Sequence, residues 1–148
     1  ILAAHSLGCL AVAWWAQLSG QPWGAPVAGA LLVAPPDVDH SDAHLLLRGF
    51  APSPHFLLPF PSILVASEDD PYCSVQHAFD LSREWGSEFV AVGAAGHLNA
   101  DSGLGLWGEG QALLQRLIGA AESSDPLADL KSAPHDAPIA RRLGQRGP

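Results

Sequence analysis

The sequence contains no methionine, only two cysteines, and only seven basic residues against fifteen acidic ones. The net charge of −8 argues against binding to nucleic acid and against docking on anionic membranes, because both need a basic surface. No apolar run approaches the roughly 18 residues of a transmembrane helix. Cys9 and Cys73 do not make a disulfide framework, so two free thiols and a cytoplasmic location are expected.

What is present is enough apolar sequence to build a core. Hydrophobic residues make up 48% of the 148 residues and charged residues 15%, which is typical of one globular domain. The chain starts inside an apolar run and not at a methionine, so we expect an N-terminal part of the domain to be missing. From residue 122 onward the sequence turns polar and loses periodicity, which predicts a domain over 1–121 and a disordered tail over 122–148.

Short apolar runs alternate with amphipathic or apolar segments along the chain. The predicted strands are Ile1–Ala4, Val27–Ala34, Ser62–Ser67 and Glu88–Gly93, and the predicted helices are Leu7–Leu18, Ser74–Trp85 and Trp107–Ala121. This alternation predicts an α/β fold, a three-layer sandwich around a parallel sheet buried on both faces. The proline-rich stretch Asp37–Pro61 interrupts the rhythm and is expected to form a loop or short helix above the sheet.

The first strand and helix are separated by the pentapeptide Ala4-His5-Ser6-Leu7-Gly8. This is the G-x-S-x-G nucleophile elbow with alanine in the first glycine place. A sharp strand-to-helix turn would expose the Ser6 hydroxyl, and the Leu7 N–H would supply half of an oxyanion hole. The alternative is that Ser6 only caps a buried helix. His5 is expected to pack beneath the turn.

Two later strands are also followed by residues that suit a serine hydrolase. Asp69-Asp70-Pro71 follows the third strand, and Gly96-His97 follows the fourth. The order Ser, acid, His is that of α/β-hydrolases, and ligands of parallel sheets gather at the carboxyl ends of the strands. Asp37 also follows a strand and is a further candidate for the acid.

Four blocks of the sequence resemble the small single-domain serine hydrolases typified by retinoblastoma-binding protein nine and the bacterial YdeN-like proteins. The blocks are "AHSLG", "LLVAPPD", "LPFPSILVASEDDPYCS" and "WGSEFVAVGAAGHLNADSGLGLWGEG". The resemblance implies an α/β-hydrolase fold with Ser6 as nucleophile, Asp70 as acid and His97 as general base. Asp69 and Asp37 remain alternatives for the acid.

The same resemblance implies what this chain lacks. Family members have an N-terminal part with a first strand, a glycine-rich turn and a second strand, and the loop after the first strand provides the other oxyanion N–H. No counterpart of these N-terminal strands is present, so the chain alone is expected to be inactive.

The expected function is hydrolysis of a small-molecule ester, thioester or amide through an acyl-enzyme, without metal or organic cofactor. The alternative is a non-catalytic protein-interaction module on the same fold, because a fold does not fix a function. A protein partner is therefore conceivable, although no feature of the sequence supports one. His40 and His44 are spaced like metal ligands, but such spacing is common without metal.

Overall fold

The computed structural model describes residues 1–20, 22, 26–40, 43 and 45–123. The elements, in chain order, are β1 (Leu2–His5), α1 (Leu7–Ser19), β2 (Ala30–Val33), α2 (Leu45–Arg48), β3 (Ser62–Ala66), α3 (Val75–Trp85), β4 (Glu88–Ala91), a 3₁₀ turn (Ala100–Ser102) and α4 (Gly108–Ser123). The four strands form one parallel sheet in the order β1-β2-β3-β4. All carboxyl ends therefore lie along one edge of the sheet.

Helices cover both faces of this sheet. On one face α1 and α3 pack against Leu32 and Leu64, and Trp85 at the end of α3 is fully buried there. On the other face α4 packs through Leu117 against the alternate strand positions, among them Val65. The predicted three-layer α/β sandwich is confirmed. The central strands β2 and β3 are buried along their whole length, as near-continuous apolar runs in a parallel sheet should be.

Three strands are shorter than the sequence predicts. Strand β2 begins at Ala30 and not at Val27, because its neighbour β1 begins only at Leu2, which pairs with Ala30. Strand β3 ends at Ala66, one residue early. Strand β4 ends at Ala91, two residues early, and Gly93 has a φ of 71°, which lies outside the extended region of a strand.

The helix boundaries follow recognisable end signals. Ser74 caps α3 as predicted, because its side chain accepts a hydrogen bond from the His77 N–H at 3.1 Å. Helix α4 begins one residue later than predicted, since Trp107 has a φ of 43° and lies outside the helix. It continues to Ser123, two residues past the predicted end of the domain. The rest of the predicted tail, 124–148, lies outside the described residues.

The stretch between β2 and β3 holds the short helix α2 and two aromatic side chains of the core. Phe60 is buried and Phe56 packs against the same cluster, whereas Phe50 is half exposed. Phe56 and Phe60 therefore stabilise the fold. The three residues His44, Ser41 and Asp42 lie outside the described part of the chain.

Candidate active site

Ser6 stands in a strained turn between β1 and α1. Its φ of 55° and ψ of −128° lie outside the regions that a residue with a side chain ordinarily adopts, and its side chain forms no capping hydrogen bond to the helix. The Ser6 N–H donates to the Val33 carbonyl at 2.9 Å, so the neighbouring strand helps to fix the turn. The alternative in which Ser6 merely caps the helix is wrong.

The turn is tight because the residues on either side of Ser6 are small. A Cβ placed on Gly8 would lie 3.6 Å from the Cβ of Ala4, which is ordinary van der Waals contact. Leu7 is the first residue of α1, so its N–H has no acceptor within the helix. The helix N-terminus thus presents an N–H group beside the serine, where negative charge is favoured.

Ser6, His97 and Asp70 form one hydrogen-bonded chain. His97 Nε2 lies 2.9 Å from Ser6 Oγ, and His97 Nδ1 lies 2.9 Å and 3.0 Å from the two carboxylate oxygens of Asp70. A carboxylate only accepts, so Nδ1 carries the proton and Nε2 is left to accept from the serine hydroxyl. The side chains of His97 and Asp70 are 11% and 3% exposed, which shields this pair from water.

Two aromatic side chains flank the His97 ring. Tyr72 meets it edge-on, with ring centroids 4.6 Å apart, and His5 lies tilted on it at 4.8 Å. His5 Nε2–H also donates to the His97 carbonyl at 2.8 Å. The expectation that His5 packs beneath the turn is wrong, because the residue is exposed and reaches across to His97. The position of His5 next to Ser6 in the sequence places it near the site, but the sequence alone does not show which way its ring points.

Asp69, one alternative for the acid, does not bond to the histidine ring. Its Oδ1 accepts from the Ser67 hydroxyl and from the Gly96 N–H, both at 2.7 Å. The hydrogen bond from Ser67, followed by that from Gly96, holds the pKa of the Asp69 carboxyl below its usual value. Asp69 is therefore a carboxylate that contacts the backbone next to His97, while Asp70 contacts the ring.

Asp37, the other alternative for the acid, forms its hydrogen bonds with different partners. Its Oδ1 accepts from the backbone N–H groups of Asp39 and His40, and its Oδ2 lies 3.5 Å from His77 Nδ1. It shares the wall of a cavity of about 700 Å³ with Asp70 and Tyr72, but its hydrogen bonds run to other groups. The structure brings Ser6, Asp70 and His97 together and leaves Asp37 and Asp69 outside that chain.

Both thiols are buried and protonated at neutral pH. Burial raises the pKa of Cys9 to about 12, although its thiol contacts the Val33 carbonyl. Burial also raises the pKa of Cys73 to about 12, and the negative charges of Asp37 and Asp70 add to the effect. Neither side chain has the thiolate character of a cysteine nucleophile.

A second cavity, of about 560 Å³, lies beside His5 and Leu98, the residue that follows His97. Its wall includes His5 and the apolar side chains of Leu98, Leu104 and Trp107. The site therefore borders an acidic hollow beside Asp70 and a cavity of mixed polar and apolar lining beside His5. Within the described residues, no three potential metal-ligating side chains are grouped together.

This combination of a parallel α/β sandwich, a strained serine turn and a Ser–His–Asp hydrogen-bonded chain defines the class of α/β serine hydrolases. The family model described as serine hydrolase matches residues 1–116, and the chain belongs to that family. The structure is also similar to the crystal structure of a YdeN-like hydrolase from Pectobacterium atrosepticum, with a TM-score of 0.64 and 34% sequence identity.

That similarity covers 82% of this chain and 60% of the Pectobacterium protein, so the chain spans less than two thirds of that structure's length. A search among curated proteins gave no match. In the part of the chain that the structure describes, no helix combines the length and apolar character needed to cross a membrane.

Proposed function

We propose that the protein hydrolyses a small ester, thioester or amide through an acyl-enzyme formed on Ser6. The observation that carries this proposal is the hydrogen-bonded chain from Ser6 Oγ through His97 to Asp70, with distances of 2.9 to 3.0 Å. Membership of the serine hydrolase family supports it independently. No metal or organic cofactor has a role in this reaction.

In the first half-reaction Ser6 Oγ attacks the substrate carbonyl while His97 Nε2 takes the hydroxyl proton. Asp70 keeps the proton of the imidazole on Nδ1 and stabilises the imidazolium that forms. His97 then returns its proton to the leaving alcohol, thiol or amine. Water repeats the sequence in the second half-reaction, releasing the acid and restoring the Ser6 hydroxyl.

Negative charge develops on the carbonyl oxygen in both tetrahedral intermediates. We assign the Leu7 N–H, at the start of α1, as a hydrogen-bond donor to this oxygen. The helix dipole acts in the same direction, because its positive end points at the serine. One such donor is typically worth about 10² to 10³ in turnover.

The cavities beside Asp70 and beside His5 bear on the class of substrate that fits. The cavity lined by His5, Leu98, Leu104 and Trp107 has both polar and apolar walls, and its volume of about 560 Å³ favours a small molecule. The acidic hollow beside Asp70 disfavours an anionic group on the other flank. A small acyl substrate without negative charge is therefore the best match.

The direct test is labelling with a fluorophosphonate probe together with hydrolysis of short p-nitrophenyl esters by the full-length protein. Ser6→Ala should abolish labelling and lower turnover by about 10⁴- to 10⁶-fold, with unchanged circular dichroism. Ser19→Ala is the matched control, because Ser19 lies at the far end of the same helix.

Normal ester turnover in Ser6→Ala would show that another residue is the nucleophile. A wild-type protein that neither labels nor turns over esters would contradict the hydrolase proposal. That result would favour the alternative of an interaction module built on a hydrolase fold.

A further inference from the structure

The end of β3 is bonded to the loop that carries His97 through a pair of side chains, Ser67 and Asp69. The Ser67 hydroxyl donates to Asp69 Oδ1 at 2.7 Å and accepts from the Ala95 N–H at 2.8 Å. Asp69 Oδ1 in turn accepts from the Gly96 N–H at 2.7 Å. The N–H groups of Ala95 and Gly96, the two residues immediately before His97, thus both donate to side chains of residues that follow β3.

This loop has a backbone that needs outside support. Gly93, Gly96 and Leu98 have φ values of 71°, 57° and 50°, so three of six consecutive residues are in the left-handed region. Leu98 is not a glycine and is strained in that conformation. The Leu98 side chain is buried in the same apolar cluster as Val65 and Leu117, and this packing supports the loop on one side of His97. The bonds from Ser67 and Asp69 support it on the other side.

We propose that Ser67 and Asp69 are positioning residues that set the place of His97 relative to Ser6. The inference rests on the proposed function, since it concerns the same histidine. Adjacent carboxylates then have separate tasks, because Asp70 orients the imidazole ring while Asp69 fixes the backbone from which that ring projects. Neither Ser67 nor Asp69 touches the reacting atoms.

Burial and charge agree with such a role. Ser67 is 1% exposed, so its hydroxyl has little access to water, and its bonds to Asp69 and Ala95 satisfy it inside the protein. Asp69 is exposed at the surface, yet its pKa is lowered, first by the Ser67 hydroxyl and next by the Gly96 N–H. At neutral pH the pair therefore holds the loop with charge-assisted hydrogen bonds, which are stronger than neutral ones.

The contrast between two substitutions at one position tests the proposal. Asp69→Ala removes the acceptor and should lower kcat by about 10- to 100-fold with little change in KM, since a small displacement of a catalytic group has effects of that size. Asp69→Asn keeps an acceptor oxygen in the same place and should remain within a few-fold of wild type. Ser67→Ala should resemble Asp69→Ala. Asp101→Ala, an exposed carboxylate in the following 3₁₀ turn, is the control.

A readout that is independent of turnover is the Gly96 amide in proton NMR. Its exchange with solvent should accelerate in Asp69→Ala and not in Asp69→Asn. Its chemical shift should titrate with a midpoint below about 3.9, the ordinary value for aspartate, and this titration should vanish in Asp69→Asn. Both expectations follow from the hydrogen bond between Gly96 and Asp69.

Unchanged kcat in Asp69→Ala would overturn the inference, as would a fall in kcat that Asp69→Asn shares equally. Ser6→Ala tests the proposed function separately, because it leaves Ser67 and Asp69 intact. Loss of turnover in Ser6→Ala together with full turnover in Asp69→Ala would therefore reject the positioning role alone. Normal turnover in Ser6→Ala would instead reject the proposed function, on which the positioning role rests.

Discussion

Two regions of the molecule hold the side chains of the site in different ways. At the turn after β1, the backbone itself places Ser6, with a φ of 55° and no capping bond from the side chain. At the ends of β3 and β4, hydrogen bonds from side chains place Asp70 and His97. Strain of about 1–3 kcal/mol at a residue such as Ser6 persists only when the surrounding structure enforces it.

The Ser6 turn is formed by residues that are neighbours in the sequence, whereas the loops that carry Asp70 and His97 are held by residues far apart in the sequence. The turn is specified within the five residues Ala4–Gly8, where small side chains permit the close approach. The β3 and β4 loops depend on bonds between residues 27 and 28 positions apart, such as those from Gly96 to Asp69 and from Ala95 to Ser67. Substitutions in the two regions should therefore fail by different routes, through sterics at the turn and through lost hydrogen bonds at the loops.

The largest difference in turnover between variants of two neighbouring residues is expected for Asp69 and Asp70. Asp70→Asn should lower kcat by about 10⁴-fold, because the amide would donate to His97 Nδ1 and leave the proton on Nε2, where it blocks transfer from Ser6. Asp69→Asn should stay within a few-fold of wild type. Steady-state kinetics of both variants, with circular dichroism to confirm folding, measures the difference. Equal and mild effects would direct attention to Asp37.

The sequence predicted the parts of the site that short motifs and strand ends encode. The Ser6 turn follows from its small neighbours, and the approach of Asp70 and His97 follows from parallel strands that end at one edge of the sheet. The catalytic roles of the three residues stay predictions. The layered fold was predictable because β2 and β3 are apolar throughout and α3 has a clear cap at Ser74.

Other features could not be predicted because they depend on packing between distant segments. The exposed His5 ring and its bond to the His97 carbonyl span 92 positions of the sequence. The choice between Asp69 and Asp70 as ring partner depends on which carboxylate the loop geometry turns inward. Strand ends were overestimated by up to three residues, since apolar character continues at Val27 where no neighbouring strand is left to pair.

Each region also carries one thiol, and both thiols should react slowly. With pKa values of about 12, Cys9 and Cys73 hold about 10³-fold less thiolate at pH 8 than an ordinary cysteine. Alkylation by iodoacetamide, with the denatured chain as reference, measures this difference. Asp37→Asn should accelerate Cys73 and leave Cys9 unchanged, because only Cys73 is near that charge. Rapid alkylation of native Cys9 would contradict its burial.

The two raised thiol pKa values also predict how folding stability changes at high pH. In the unfolded chain a thiol ionises near pH 9, whereas in the folded protein it stays neutral until about pH 12. The contribution of the buried thiols is therefore complete below about pH 8 and is lost as pH rises toward 12. Urea denaturation at several alkaline pH values should show this loss. Cys9→Ala should reduce its steepness, and an unchanged slope in that variant would argue against the shift.

A smaller effect is expected at the contact that joins the two regions, the bond from His5 to the His97 carbonyl. His5→Leu removes the donor and should lower kcat by about five- to tenfold, since one such bond is worth about 1 kcal/mol. His5→Gln retains an N–H donor and should recover most of that loss. Kinetics with one ester at saturating and limiting concentrations separates kcat from KM. Equal turnover in His5→Leu and His5→Gln would show that this bond does not matter.

The last effects concern folding stability and not turnover, and come from one substitution made in both regions, glycine to alanine. Gly8 lies in the first turn of α1 with room for a methyl group, so Gly8→Ala should stabilise the fold by about 0.5–1 kcal/mol. Gly93 has open space around it but a φ of 71°, so Gly93→Ala should destabilise the fold by about 1–2 kcal/mol through backbone strain alone. Urea denaturation of the two variants measures both changes. Opposite signs would show that the turn at Gly8 accepts a methyl group, whereas the backbone conformation at Gly93 does not suit a residue with a side chain. Destabilisation by Gly8→Ala would mean that the turn tolerates not even a methyl group.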